Sequence, residues 1–108
     1  TRTDWQQIVA LYDVLLHTAP TPVVALNRAV AIAMASGPQA GLTALADLAE
    51  PLADYYLFHA ARADLLRQLG ELHEARAAYE GALALCANEA ERRFLQARVS
   101  ALTPNGLS

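Results

Sequence analysis

Lysine is absent: all eight basic residues of this 108-residue chain are arginines, which reads as the codon usage of a GC-rich, bacterial genome rather than as a chemical requirement. Set against eleven acidic residues they leave a formal net charge of −3, which argues against a module that holds nucleic acid by itself. Cys86 is the only cysteine, so an internal disulfide and a cysteine zinc cluster are both excluded, and a reducing cytoplasm suits the composition. No apolar run approaches the ~20 residues that a membrane-spanning helix needs. The longest, residues 23–35, is interrupted by Asn27 and Arg28. A signal peptide is not recognisable, and Thr1 is no initiator methionine, so the chain is expected to be a piece of a longer protein. Alternating strand patterns are nearly missing, and β-branched residues cluster only at Val23, Val24, Val30 and Ile32.

What the chain has in quantity is alanine, its commonest residue, which favours helix and lets helices approach closely. Helix punctuation is equally plentiful. Asp4 caps a first helix to about His17, with Ile8, Leu11, Tyr12, Leu15 and Leu16 on one face. Thr21 followed by Pro22 starts a second helix to about Ala35. A third spans roughly Pro38 to Ala49 and a fourth Leu52 to Leu69, where Gly70 supplies a left-handed cap. A fifth covers Glu71 to about Ala87, and Asn88 opens a sixth that ends near Leu102. The spacing predicts an all-α domain over residues 1–102, built as consecutive antiparallel hairpins from about six helices, with a flexible tail over 103–108.

The hairpins repeat. Asn27-Arg28-Ala29 returns as Ala61-Arg62-Ala63 after about 34 residues, the tetratricopeptide period, and Gln39-Ala40 returns as Glu74-Ala75 after one position more. In that motif two helices cross so closely that small residues are needed at fixed places, and it predicts a right-handed array. In HAARADLLRQLGELHEARAAYEGALAL (59–85), Ala63, Ala75 and Ala82 take the small positions, Tyr79 the aromatic one and Leu66 a bulky one. His59, Arg62 and Ala87 depart from the motif, standing where an aromatic, a leucine and a proline are usual, and the earlier hairpin carries Ala44 where the aromatic belongs.

No residue pattern points to catalysis, a cofactor or a metal. His17, His59 and His73 form no pair at helical ligand spacing, and although His59 and His73 lie on facing helices, packing is the better reading of both. Glu71, Glu74, Glu89 and Glu91 sit in first turns of helices, where the dipole favours them. Cys86 reads as a small core residue, and Ser36, Ser100 and Ser108 belong to no nucleophile motif. Gly37 and Gly41 make no phosphate loop, and Arg92, Arg93 and Arg98 read as a solvated or paired face. Polar residues inside otherwise apolar helices stand out more: Asn27, Arg28, Arg62 and Asp64. They either form a network between repeats or line the groove that such arrays present to peptides, a concave side that Asp64, Arg67 and Gln68 should face. The six together are the candidate partner-binding residues.

Four stretches, TDWQQIVALYDVLL (3–16), PVVALNRAVAIA (22–33), YYLFHAARADLLRQLGELHEARAAYEGALAL (55–85) and NEAERRFLQARV (88–99), form a recognisable set. The chain resembles the C-terminal tetratricopeptide-like extension of bacterial extracytoplasmic-function RNA polymerase sigma factors, over about residues 3–102. The resemblance implies a regulatory domain that contacts the sigma core regions, polymerase or a partner protein, apart from the regions that bind promoter DNA. It assigns no individual residue a role. Two other readings remain beside it: a free-standing scaffold module for an unrelated peptide, and a small-molecule sensor or enzyme fragment around Tyr55, Tyr56, His59 and His73. The isolated domain is also expected to be able to pair with itself as a homodimer through an exposed apolar face.

Overall fold

The computed structural model describes residues 3–103, and among these the chain is all-α. Six α-helices and one 3-10 turn follow in order: α1 (Trp5–Thr18), α2 (Pro22–Ser36), α3 (Pro38–Leu45), the turn Ala46–Leu48, α4 (Tyr56–Gln68), α5 (Leu72–Leu85) and α6 (Glu89–Leu102). The contacts divide the chain into two compact units, Thr1–Leu52 and Ala53–Ser108, and within each unit consecutive helices pair antiparallel through short joints. In the first unit α2 packs against both α1 and α3; in the second α5 packs against both α4 and α6.

The helix starts follow the capping residues. The Asp4 carboxylate accepts from the Gln7 N–H at 3.1 Å, Thr21 Oγ1 from Val24 N–H at 3.2 Å and Asn88 Oδ1 from Glu91 N–H at 3.0 Å. Gly70, at φ 81°, closes α4 with paired bonds: its own N–H reaches the Arg67 carbonyl and the Glu71 N–H reaches the Leu66 carbonyl. Gly37, at φ 100°, makes the sharp joint between α2 and Pro38.

Two boundaries differ from the sequence expectation. The helix predicted from Pro38 to Ala49 stops at Leu45 and tightens into a 3-10 turn, and the one predicted to begin at Leu52 begins at Tyr56. The cause is tertiary. Leu48 and Leu52 are both buried and the Leu52 N–H closes back on the Leu48 carbonyl, while the Ala53 carbonyl accepts from His59 Nε2 at 2.7 Å. That carbonyl is therefore not the first acceptor of a longer α4. Thr103, predicted to open the tail, is anchored: its hydroxyl accepts from Arg76 Nε at 3.2 Å and donates to the Val99 carbonyl at 2.8 Å. The rest of that predicted tail, residues 104–108, lies outside the described residues.

Each unit keeps a small, alanine-rich core. Leu26, Ala29, Ala31, Leu45 and Leu48 fill the first; Phe58, Ala63, Leu65, Leu66, Ala75, Tyr79, Ala82 and Leu95 fill the second. Ala29 and Ala63, one repeat apart, have no exposed surface at all. At those places the alanine methyl is what allows the next helix to close in. No helix among the described residues is long and apolar enough to cross a membrane.

Candidate functional site

The six candidate residues separate into two kinds once their partners are known. Arg28 belongs to the α1–α2 hairpin: its Nε donates to the Asp13 carboxylate at 2.5 Å, tying the two helices. Both side chains are substantially exposed, so the pair contributes modestly, of order 0–1 kcal/mol. Asp64 and Arg67 converge on one phenol. Tyr79, buried in the α4–α5 hairpin, donates its hydroxyl hydrogen to the Asp64 carboxylate and accepts from Arg67 Nε at 3.1 Å. Burial first, and the Asp64 carboxylate second, push the Tyr79 phenol above its usual pKa. Arg67 is held more firmly protonated, chiefly by its bond to that phenol. These two charged groups thus satisfy the polar tip of the aromatic that fills the hairpin.

Asn27, Arg62 and Gln68 make no hydrogen bond or ion pair among the described residues; Asn27 and Gln68 are exposed and Arg62 is half-buried. Asn27 lies on the outward face of α2 between Val23, Val30 and Met34, all of them exposed. The face that stands one repeat later on α4 is Leu57, Ala61, Asp64 and Gln68. Positions 23, 27, 30 and 34 map onto 57, 61, 64 and 68 by the same shift that the buried alanines obey. One register therefore fixes an outward helix face twice, apolar on α2 and mixed on α4. Met34 also lines an open cleft of about 380 Å³ with Thr3, Asp4, Trp5, Gln6 and Ala35, placing the only tryptophan beside the apolar face of α2.

The α2 face was not singled out by sequence reasoning, since a helix apolar on most sides reads as wholly buried. Its signal was the repeat itself, because the same register on α4 carries Asp64 and Gln68.

The sensor reading groups Tyr55, Tyr56, His59 and His73 around one pocket. His59 is turned toward Gly81 of α5, where an added Cβ would lie 3.8 Å from Nδ1, and its Nε2 is spent on the Ala53 carbonyl. Residue 81 lies eight positions beyond His73, about 12 Å along the helix, so the two imidazoles do not converge. Among the described residues no group of three or more His, Cys, Asp or Glu side chains could hold a metal ion.

Tyr56 instead staples the start of α4 to α6 by donating to the Glu91 carboxylate. That hydrogen bond, with a smaller contribution from burial, pushes the Tyr56 pKa up to about 12. The value lies above the roughly 10 of an unfolded tyrosine, so the bond is intact below pH ~10 and is lost as the pH rises through 12. In a spectrophotometric tyrosinate titration, Glu91→Gln is expected to move one late-ionising phenol down toward 10. An unchanged titration would mean that the carboxylate is not its partner.

The arginines of α6 also have internal uses. Arg92 donates to the Leu83 and Cys86 carbonyls, both at 2.8 Å, and so caps the C-terminus of α5. The Arg98 guanidinium lies over the Phe94 ring at 4.9 Å from its centroid.

No family model matches the chain. It is similar to an uncharacterized protein of Rhizobium meliloti (strain 1021), 42% identical over 101 residues. The matched segment is 94% of this chain and 24% of that protein, so the chain spans about a quarter of the length of the curated relative it matches.

Proposed function

We infer that the chain is a non-catalytic, protein-binding regulatory domain of a bacterial, cytoplasmic RNA polymerase sigma factor. The observation that carries the binding role is the outward face of α2, where Val23, Val30 and Met34 stand exposed around Asn27 with no charge among them. Such a stripe accepts the apolar face of a partner helix, with the Asn27 amide available to orient it. The transcriptional role rests on the resemblance carried by LNRAVA, HAARADLL and ERRFL. A relative about four times as long supports a domain that works as an appendage. Docking on the sigma core regions or on polymerase would bias the factor between active and inactive forms by the difference in affinity for the two.

The test is binding to purified sigma core regions and to core polymerase, read from the fluorescence of Trp5 beside Met34. Binding that falls at least tenfold with Met34→Glu and Val30→Glu is the expected result. Equal binding by the two variants and the wild type would remove α2 from the interface. No binding to either transcriptional partner would leave a scaffold module for some other peptide. Arg67→Glu is unsuitable as a binding probe, because Arg67 holds the Tyr79 hydroxyl.

A further inference from the structure

The chain carries sulfur at one cysteine and one methionine, and the fold treats the two oppositely. Cys86 is 4% exposed, with its Sγ set against the Asn88 carbonyl at 3.7 Å and the Glu91 carboxylate at 3.9 Å. An oxidant in solution does not reach it in the folded chain. Met34 is 56% exposed and stands on the outward stripe of α2 with Val23, Asn27 and Val30. It also lines the open cleft, together with Thr3, Trp5 and Gln6. Its long, unbranched side chain therefore has two different surroundings in reach. Along the stripe the nearest polar side chain is Asn27, two helical turns away, about 10 Å along the axis. The cleft is rich in donors, since Thr3 brings a hydroxyl, Trp5 an indole N–H and Gln6 an amide.

We propose that Met34 is a site of reversible oxidation by hydrogen peroxide, whose sulfoxide turns from the stripe into the cleft and withdraws α2 from its partner. The withdrawal rests on the docking reading given above. In the reaction the thioether sulfur attacks one peroxide oxygen, an S–O bond forms and the O–O bond breaks. Sulfur is oxidised by two electrons, and the second oxygen leaves as water. A thiol-dependent reductase reverses the step: two thiols become a disulfide, and the sulfoxide oxygen leaves as water. The product carries a strong acceptor where an apolar thioether stood. Pressed against the apolar face of a partner helix, that oxygen finds no donor, and an unpaired acceptor weakens binding about tenfold or more. Turned into the cleft, it finds three.

The first arm of the test needs no partner. The chain is treated with hydrogen peroxide, and peptide mass mapping and Trp5 emission are followed together. One oxygen is expected on Met34 at a rate near that of free methionine, and none on Cys86. A shift in Trp5 emission should accompany it and be reversed by methionine sulfoxide reductase. Oxidation of Met34 more than about tenfold slower than that of the free amino acid, or oxidation of Cys86 first, would overturn the site. An emission that ignores oxidation would overturn the turn into the cleft. The second arm measures binding to sigma core regions and to core polymerase before and after peroxide. Oxidation is expected to weaken it about tenfold in the wild type and in Cys86→Ala. Met34→Leu, whatever its own affinity, should bind equally before and after. The same loss in Met34→Leu would assign the effect to another residue and overturn the proposal. A reduced chain that binds neither partner would overturn the docking reading and the withdrawal with it, while oxidation at Met34 would stand or fall by the first arm.

Discussion

Tyr79→Ala is expected to cost about 3–5 kcal/mol of unfolding free energy, a large share of the roughly 5–15 kcal/mol available to a small domain. The ring has no exposed surface, and it fills a hairpin whose neighbouring positions Ala63, Ala75 and Ala82 are too small to collapse into the gap. Removing it also strips Asp64 and Arg67 of their shared partner. Tyr79→Phe keeps the ring and loses only the hydroxyl, leaving a half-exposed Asp64 and Arg67 that water can reach. Its expected cost is about 1 kcal/mol. Urea denaturation of both variants separates the contributions. Equal losses would mean that the hydroxyl network, rather than the volume of the ring, holds the hairpin.

The second large effect is expected from adding volume. Ala63→Leu inserts three carbons where no surface is free, so α4 and α5 must separate, at a cost of roughly 1–3 kcal/mol or more. Ala97→Leu makes the same change at the same register one repeat later, on an exposed face of α6. There the stability of the monomer should move by no more than about 0.5 kcal/mol. The contrast matters more than either value. If both variants lost stability equally, the difference in cover between the two alanines would not exist.

The parts of the fold that were legible in the sequence are those whose physics is local. Asp4, Thr21, Gly70 and Asn88 each hold backbone groups within a few residues of themselves, and the helices begin or end where they stand. The end of α3 and the start of α4 were not legible, because a carbonyl claimed by His59 and the burial of Leu48 and Leu52 decide them. On α1 the periodicity put Ile8, Leu11, Tyr12, Leu15 and Leu16 on one face. That arc is wider than one neighbouring helix covers, so Leu11 and Leu15 remain exposed while Ile8, Tyr12 and Leu16 are partly covered. Among the candidate residues, Asp64 was singled out as a polar group inside an otherwise apolar helix, and Arg67 by the expected concave side of the repeat. Their common partner, a hydroxyl 15 and 12 residues away, is set by the crossing of two helices and has no local signature.

The Arg92 cap has a consequence for the order in which the second unit closes. The carbonyls of Leu83 and Cys86 at the end of α5 receive their donor from α6, a helix further along the chain. Until α6 docks, the last turn of α5 has water as its partner, and its amides should exchange with solvent at the rate set by opening of α6. The last turn of α5 is therefore expected to fray and close together with α6, while the α4–α5 crossing around Tyr79 is expected to open only when the whole unit unfolds.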